Sequence, residues 1–454
     1  MPSSALPAPA PRSPPAYRTV YDRLPNGLPI VTVEMPHLHS ATVSLFARVG
    51  SRHETDETNG LTHFLEHMLF RGCESFPDST ALNAAMEDLG GTLDGYTMRE
   101  LSAYHSTVHP SAVPEALHIY GSMFRRPTFR DIEIERSIIL EEVLDALDER
   151  GRVIDLDTIA HREAFRGHPL GQSIDGPRRN LRRFGVEHLE AHRRRFMSAS
   201  TMVLCVAGAV DHVRLLPAAL AAFGDLPTGR RAKETAPAMP SDAPRFAYVR
   251  TDDAQTRLRY SFRTVPETHA DYPALILLRR VLDGGLSARL QVEMVEKRGI
   301  AYEIGAELET YADTGLFDFE LAVAHKKLPY AIDELGRVML DIVRDGVTEA
   351  ELTRVRRRAR MGLEFAMDSA HEMGTWFGQA MLFREPSTPE QRIDALEKVT
   401  AEDVRRAAAT YFQPRRLTIA AVGNAPPATI RAAKKGIRAF VDAMTALTTA
   451  ARAA

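Results

Sequence analysis

Gly60-Leu61-Thr62-His63-Phe64-Leu65-Glu66-His67-Met68-Leu69-Phe70-Arg71-Gly72 is the stretch on which the reading of this 454-residue chain turns. Its apolar residues recur at helical spacing, so Gly60 to Phe70 is expected as a helix. On that helix His63 and His67 are four residues apart and share a face, so both rings can reach one metal ion. Glu66 lies three residues from His63 and one from His67. It can address a water at that metal without being a ligand, as a zinc hydrolase requires. The order His-x-x-Glu-His inverts the common zinc-protease pattern.

A catalytic zinc normally takes three protein ligands and keeps one position open. Asp131 to Asp148 reads as a long helix, and its carboxylates Glu133, Glu135, Glu141 and Glu142 are the candidates for the third. Its middle, Ile138-Ile139-Leu140-Glu141-Glu142-Val143-Leu144, is apolar enough that a carboxylate buried there needs a partner or a metal. Glu135 and Glu142 are seven apart and lie on nearly one face, whereas Glu141 is rotated by about 100°. A solvated acidic stripe gives the same pattern, and the helix alone leaves both readings open.

Outward from the motif, Arg23 to Val33 reads as a hairpin around Asn26-Gly27. Ala41 to Val49, Thr92 to Thr97 and Ser102 to Val108 read as strands, and Met202 to Ala207 is an apolar strand ending at Gly208. From Leu226 to Ala243 the composition changes to LPTGRRAKETAPAMPSDA, a linker. Beyond it the order recurs, with strands at Phe246 to Arg250, Thr256 to Phe262, Ala301 to Glu309 and Thr314 to Val323, and an apolar strand at Leu417 to Val422 ending at Gly423. This is an internal duplication, which predicts two α+β domains of one fold. The expected divisions are a flexible Pro/Ala-rich tail at 1–17, a metal-binding domain at 18–225, a linker at 226–245, a second domain at 246–426 and a C-terminal helical extension at 427–454. The matching helix of the second half begins Tyr272-Pro273-Ala274-Leu275-Ile276, so only the first domain can hold the metal.

The composition is that of an ordinary globular protein, with 44% hydrophobic and 26% charged residues and a net charge of −3. Such a balance gives no reason to expect nucleic acid. No apolar run is long enough to span a membrane, and the first 17 residues lack the apolar core of a secretory signal. Two cysteines, Cys73 and Cys205, make no disulfide framework and fit a reducing compartment, so the cytoplasm is expected.

The stretch resembles the M16 (pitrilysin-type, inverzincin) zinc peptidases, in the group of roughly 450-residue subunits related to mitochondrial processing peptidase. Gly50-Ser51-Arg52-His53-Glu54 is similar to the family's GSRxE, and Gly60 to Gly72 to its GLAHFLEHMLFKG. Gly90-Gly91, Tyr96-Thr97, Glu135-Arg136, Ile139-Leu140-Glu141-Glu142 and His168-Pro169-Leu170-Gly171 follow in the family's order. The resemblance implies two homologous α/β-sandwich domains forming half of a clamshell. It implies one Zn2+ per chain held by His63, His67 and Glu142, with Glu66 as general base and Glu135 supporting the site from behind. It also implies that a substrate peptide adds as a strand along Gly91 to Tyr96, which puts Asp94, Gly95 and Tyr96 against the substrate. The family's usual Asn-Ala is Asp94-Gly95 here.

The second domain departs at one point. The family's LREKRGLAY carries an arginine and a tyrosine that act on substrate, and here the stretch is Met294-Val295-Glu296-Lys297-Arg298-Gly299-Ile300-Ala301-Tyr302. Tyr302 is kept, but Val295 replaces the arginine, and an aliphatic side chain makes no bidentate contact. Arg298 is the only nearby substitute. The expected function is therefore a zinc-dependent peptidase for short or unfolded peptides. It would be the catalytic subunit of a heterodimer whose paralogous partner supplies the arginine and tyrosine, with a homodimer as the other arrangement. The competing expectation is a non-hydrolytic structural or peptide-binding paralogue. His188 and His192 also stand four apart, but Arg193-Arg194-Arg195 follows and would repel a cation.

Overall fold

The computed structural model describes residues 17–240 and 242–453. The first half contributes β1 (Arg18–Arg23), β2 (Pro29–Glu34), β3 (Ala41–Ala47), β4 (Asp94–Thr97), β5 (Ser102–Val108) and β6 (Met202–Gly208), in the order β1-β2-β6-β3-β5-β4. The second contributes β7 (Arg245–Arg250), β8 (Gln255–Thr264), β9 (Glu303–Thr310), β10 (Gly315–Ala324) and β11 (Leu417–Gly423), in the order β7-β11-β8-β10-β9. With β1 set aside, the two sheets match strand for strand. In each, the last strand of the half runs parallel to the first (β6 with β2, β11 with β7) and antiparallel to its other neighbour. The duplicated order of elements is thus a duplicated mixed α/β topology.

Seven helices build the site and the two cores: α1 (Leu61–Leu69), α2 (Ile132–Glu142), α3 (Leu156–Ala164), α4 (Tyr272–Leu282), α5 (Leu328–Asp345), α6 (Ala370–Phe383) and α7 (Pro427–Ala453). The expected helix over Asp131 to Asp148 is shorter. After Glu142 the chain tightens into a 3-10 turn at Val143–Ala146. The Asp148 carboxylate then accepts the backbone N–H groups of Arg150 and Arg152, and Gly151 takes a positive φ of 73°. A carboxylate that captures downstream N–H groups makes a turn that competes with the helix.

The central strands carry apolar residues on both faces, and the two faces enter different cores. On β6, Leu204 and Val206 join the main core of the first half, while Val203, Cys205 and Ala207 face the other way. That second face is covered by α6, which crosses from the second half and seats Ala370, Met373, Phe377 and Leu382 against Val31, Phe46 and Val203. A Cβ on Gly378 would lie 2.3 Å from the Phe46 ring, so that ring packs on bare backbone. Reciprocally, α3 of the first half places Leu156, Ile159 and Ala160 against Ala420 and Val422 of β11. The segment between the sheets is also tied down. Glu234 pairs with Arg48 at 2.6 Å and His53 at 3.0 Å, and the Thr235 carbonyl accepts from Arg52 and His168.

The tail expectation falls on residues 1–16, outside the described residues; Tyr17, its last residue, donates its hydroxyl to Glu390 at 2.7 Å. The C-terminal helix α7 buries Ala433, Ile437, Phe440 and Met444 in the second core, with Phe440 over Gly336 of α5. It follows β11 as the helix His212–Phe223 follows β6. No described helix is long and apolar enough to cross a membrane.

A buried polar cluster locks α3 to the second sheet. His161 Nε2 lies 2.9 Å from Glu309 and 2.9 Å from the Tyr311 hydroxyl, while Asp157 binds Arg99 and Arg259, each at 2.6 Å. Burial and the nearby Arg99 pull the His161 pKa down, but its bonds to Asp157 and Glu309 outweigh them and raise it to about 9. A raised folded pKa stabilises fully below the unfolded value of about 6.5 and is lost above it. The urea midpoint is therefore expected to fall as pH rises from 6.5 to 9, and the fall to flatten in His161→Gln. Phe377→Ala should cost about 3–5 kcal/mol in the same unfolding measurement, since it empties the contact between α6 and the first sheet.

Candidate metal centre

The helix that carries the two histidines is fixed at its start by an acid 7 residues earlier in the chain. The buried Glu54 carboxylate accepts the N–H groups of Gly60 at 2.9 Å and Thr62 at 2.6 Å, the Thr62 hydroxyl at 2.6 Å and the Asn59 amide at 3.0 Å. It satisfies N–H groups that the first turn of α1 leaves open, at the positive end of the helix dipole. Burial raises the Glu54 pKa against these four bonds. Gly60 has φ 95°, and a Cβ there would lie 2.5 Å from the Asp175 carbonyl. Only glycine lets the Asp175 loop approach the helix start so closely. Phe64, Leu65 and Met68 then anchor α1 in the first core.

With α1 fixed, three donors converge. His63 Nε2 and His67 Nε2 are 3.2 Å apart, and the Glu142 carboxylate at the end of α2 lies 3.9 Å from the first and 3.7 Å from the second. All three donor atoms fall within 4.8 Å of one another, the sole such group among the described residues. Two imidazole nitrogens on one tetrahedral zinc would stand about 3.3 Å apart, so the pair fits that ion. The His67 Nδ1 is 2.8 Å from Glu135 Oε1. Donation from Nδ1–H to Glu135 leaves the Nε2 lone pair facing His63 and Glu142, the tautomer a metal needs. The His63 Nδ1 is buried without a hydrogen-bond partner, with Asp175 Oδ1 at 3.7 Å. Two nitrogens and one carboxylate make a donor set suited to catalytic zinc. Glu141 is exposed on another face of the helix.

Glu66 is 7% exposed and accepts the Thr97 hydroxyl at 2.5 Å. Burial raises its pKa; the Thr97 bond and His67 oppose this, while Glu142 and Asp94 add to it. Burial also lowers the His63 pKa, helped by His67, to about 4, so this ring is neutral and free to ligate. For His67 burial pulls down, but the bond to Glu135 and the surrounding carboxylates win and the net shift is upward.

Strand β4 is the outer edge of the first sheet. Thr97 meets Glu66 on the α1 side, and Gly95 packs there so closely that a Cβ would lie 2.9 Å from Phe70. Asp94 and Tyr96 face the opposite way, towards α6. The Tyr96 hydroxyl accepts from Gln379 at 2.7 Å, and His105, which pairs with Asp94 across the strands, packs on His371 at 4.5 Å. The glycine at 95 is thus matched to the Phe70 ring. Tyr302 stands just before β9 and is 87% exposed, away from any contact that would assign it a role. Arg298 is occupied: its guanidinium bonds the Glu293 carbonyl and carboxylate at 2.9 Å and approaches Glu334 at 3.3 Å. It has no free fork to replace the arginine missing at Val295.

Sequence reasoning met Thr97 only as part of the Tyr96-Thr97 motif and did not name Asp175; these are the groups that hold Glu66 and flank His63. The close backbone contact of Gly60 with Gly176 is what sets Asp175 beside His63. The other histidine pair is structural. His188 accepts the Gly185 N–H, and the buried His192 bonds the Thr62 hydroxyl at 2.9 Å, its pKa lowered to about 3 chiefly by burial.

Comparison with known proteins agrees with this architecture. The Insulinase (Peptidase family M16) profile matches residues 29–178, and the profile described as Peptidase M16 inactive domain matches residues 183–359. An uncharacterized zinc protease of Mycobacterium bovis is 31% identical over 427 residues, covering 92% of this chain and 95% of that protein. The mitochondrial-processing peptidase subunit beta of Blastocladiella emersonii is 30% identical over 425 residues, covering 89% of each. A Helicobacter pylori protease superposes with a TM-score of 0.82 at 19% identity, over 90% of this chain and 99% of its own. A Pseudomonas fluorescens peptidase M16 inactive domain superposes with a TM-score of 0.83 at 19% identity, over 90% and 98%. The two-domain fold and the histidine-bearing helix are those of a peptidase family, and the chain belongs to the M16 peptidase family.

Glu135→Gln weakens the hydrogen bond that orients His67. Zinc affinity, measured by competition with a chromophoric chelator, should fall about 10–100-fold, while Glu141→Gln should leave it unchanged.

Proposed function

We propose that this chain is the catalytic subunit of a zinc-dependent peptidase acting on short or unfolded peptides. The observation that carries the reading is the intact triangle of His63, His67 and Glu142, backed by Glu135 and set beside Glu66 and the open edge of β4. When bound, zinc supplies Lewis acidity to a water and to the scissile carbonyl. The chain's own residues do the rest. The β4 backbone pairs with the peptide and fixes its register, with Asp94, Gly95 and Tyr96 beneath it. Glu66, held by Thr97, takes the proton of the attacking water and passes it to the leaving amine. Its raised pKa suits that exchange.

Val295 and the engaged Arg298 leave this chain without the arginine of its family's second domain. This supports a heterodimer with an M16 paralogue that carries the arginine and tyrosine; relatives named as a beta subunit of a processing peptidase favour the same arrangement. Tyr302 would face substrate only in the closed assembly. Two buried, unpaired thiols, Cys73 and Cys205, fit a cytoplasmic setting.

The test is cleavage of unstructured peptides by the zinc-loaded chain, with and without an M16 paralogue bearing the arginine motif. Activity in the mixture alone, reduced about 10²–10⁴-fold by Glu66→Gln, is the expected result. Equal activity without the paralogue would make the chain a self-sufficient homodimer. Failure to bind stoichiometric zinc, with no functional change in His63→Ala, would make it a non-hydrolytic paralogue.

A further inference from the structure

Each imidazole of the metal triangle has a second ring nitrogen, and the two are served unequally. The His67 Nδ1 has Glu135 at 2.8 Å. The His63 Nδ1 is buried and has no hydrogen-bond partner. A histidine that holds a metal nearly always donates its other N–H to a carboxylate, a carbonyl or a water, because that bond fixes the tautomer and the plane of the ring. A buried N–H without an acceptor is costly and rare.

One carboxylate stands at the orphaned nitrogen. Asp175 Oδ1 is 3.7 Å from His63 Nδ1, about 0.8 Å beyond an ordinary N–H···O bond. The Asp175 carboxylate enters no other ion pair or hydrogen bond among the described residues. The backbone that carries it is clamped to the start of α1. A Cβ on Gly60 would lie 2.5 Å from the Asp175 carbonyl oxygen, and one on Gly176 would lie 2.3 Å from that of Asn59. The Asn59 amide donates to the Ser173 carbonyl at 2.7 Å, and the Asn180 amide to the Asp56 and Asn59 carbonyls at 2.9 and 3.0 Å. Asp175 is thus delivered to His63 by the residues that also fix the helix. With the backbone so held, a rotation of the half-buried Asp175 side chain is enough to close the gap.

The placement is poor for a residue kept for stability. Burial and the charges of Glu142 and Asp155 disfavour the ionised form of Asp175, against the pull of His63 and Arg99. A carboxylate in that setting, without a hydrogen bond, costs the metal-free chain stability, and such groups gather at functional sites.

We infer that Asp175 is a positioning residue of the metal centre: it accepts the Nδ1–H of His63, as Glu135 accepts that of His67, and so holds the second Nε2 lone pair toward the metal. The inference rests on the zinc reading above. Asp175 addresses the far nitrogen of the ring, so it is not a ligand, and it takes no part in bond cleavage. Each histidine of α1 is then held from behind by an acid of a different element, Glu135 on α2 and Asp175 on the loop that meets Gly60.

The test compares the full-length chain with Asp175→Leu, which removes the acceptor, and Asp175→Asn, which keeps an oxygen at the same reach. Three quantities are measured: zinc affinity by competition with a chromophoric chelator, the visible absorption of the cobalt-loaded chain, and the urea midpoint of the metal-free chain. Asp175→Leu should weaken zinc binding about 10–100-fold and shift the cobalt bands, and Asp175→Asn should recover part of both. The metal-free midpoint should stay level or rise in both variants. Zinc affinity and cobalt absorption in Asp175→Leu equal to those of the unaltered chain would overturn the inference. So would weaker binding that comes with a lower metal-free midpoint and is not recovered by asparagine, which would make Asp175 a structural residue of its loop. Failure of the unaltered chain to bind stoichiometric zinc would overturn the zinc reading and the inference with it, and that measurement involves neither variant.

Discussion

Each sheet of this protein has two apolar faces, and each half of the chain covers only one of them with its own helices. The constraint that follows is the exchange of α6 and α3 across the seam. Val203 and Cys205 on one side of β6, and Ala420 and Val422 on one side of β11, would otherwise be left in water. Their burial, at roughly 25 cal/mol per Å² of apolar surface, makes the two domains one body. The exchange also does something local. It lays α6 beside β4 and brings α3, with Asp157 and His161, against the second sheet. The α6 side of the edge strand next to the metal triangle is built on that placement.

The site itself is assembled by a short relay of fixed groups. Glu54 and the Gly60–Gly176 contact set the start of α1; α1 sets His63, Glu66 and His67; α2 brings Glu142 and Glu135 against them. Thr97 then aligns Glu66 with the edge strand. Glu54, Glu66 and Glu135 are buried carboxylates held by a backbone N–H or another side chain, and such groups tolerate little displacement. The Glu54 cap explains why Gly50-Ser51-Arg52-His53-Glu54 reads as part of the same constellation. Arg52 is a seam residue, paired with Glu100 and with Asp313 of the second half.

Much of the fold was legible because its signals are local. The alternating and continuous apolar runs gave the strands, and the recurrence of their order gave the duplicated domain; His63 and His67 declared their shared face by spacing alone. The helix over Asp131 to Asp148 was read too long because the turn that ends it depends on the Asp148 carboxylate capturing N–H groups ahead of it, a choice that helical periodicity does not record. The linker was legible from its loop-like composition, but not its anchoring: Glu234 and the Thr235 carbonyl bind it to the first half, and the Pro237 carbonyl accepts from Arg263 of the second.

The sequence by itself determined what depends on neighbours a few residues apart: the two-histidine face, the acid between them, the duplicated strand order, and the valine at 295 where an arginine is usual. Spacing narrowed the third donor to four glutamates without choosing among them, and the family resemblance pointed to Glu142 with Glu135 behind it. The tertiary structure supplied the geometry, with Glu142 closing the triangle, Glu135 holding His67 and Glu141 turned outward, because that depends on how α2 is rotated against α1. It also decided that Arg298 is engaged with Glu293 and Glu334. The His67–Glu135 contact joins residues 68 positions apart, and packing, not spacing, sets such distances.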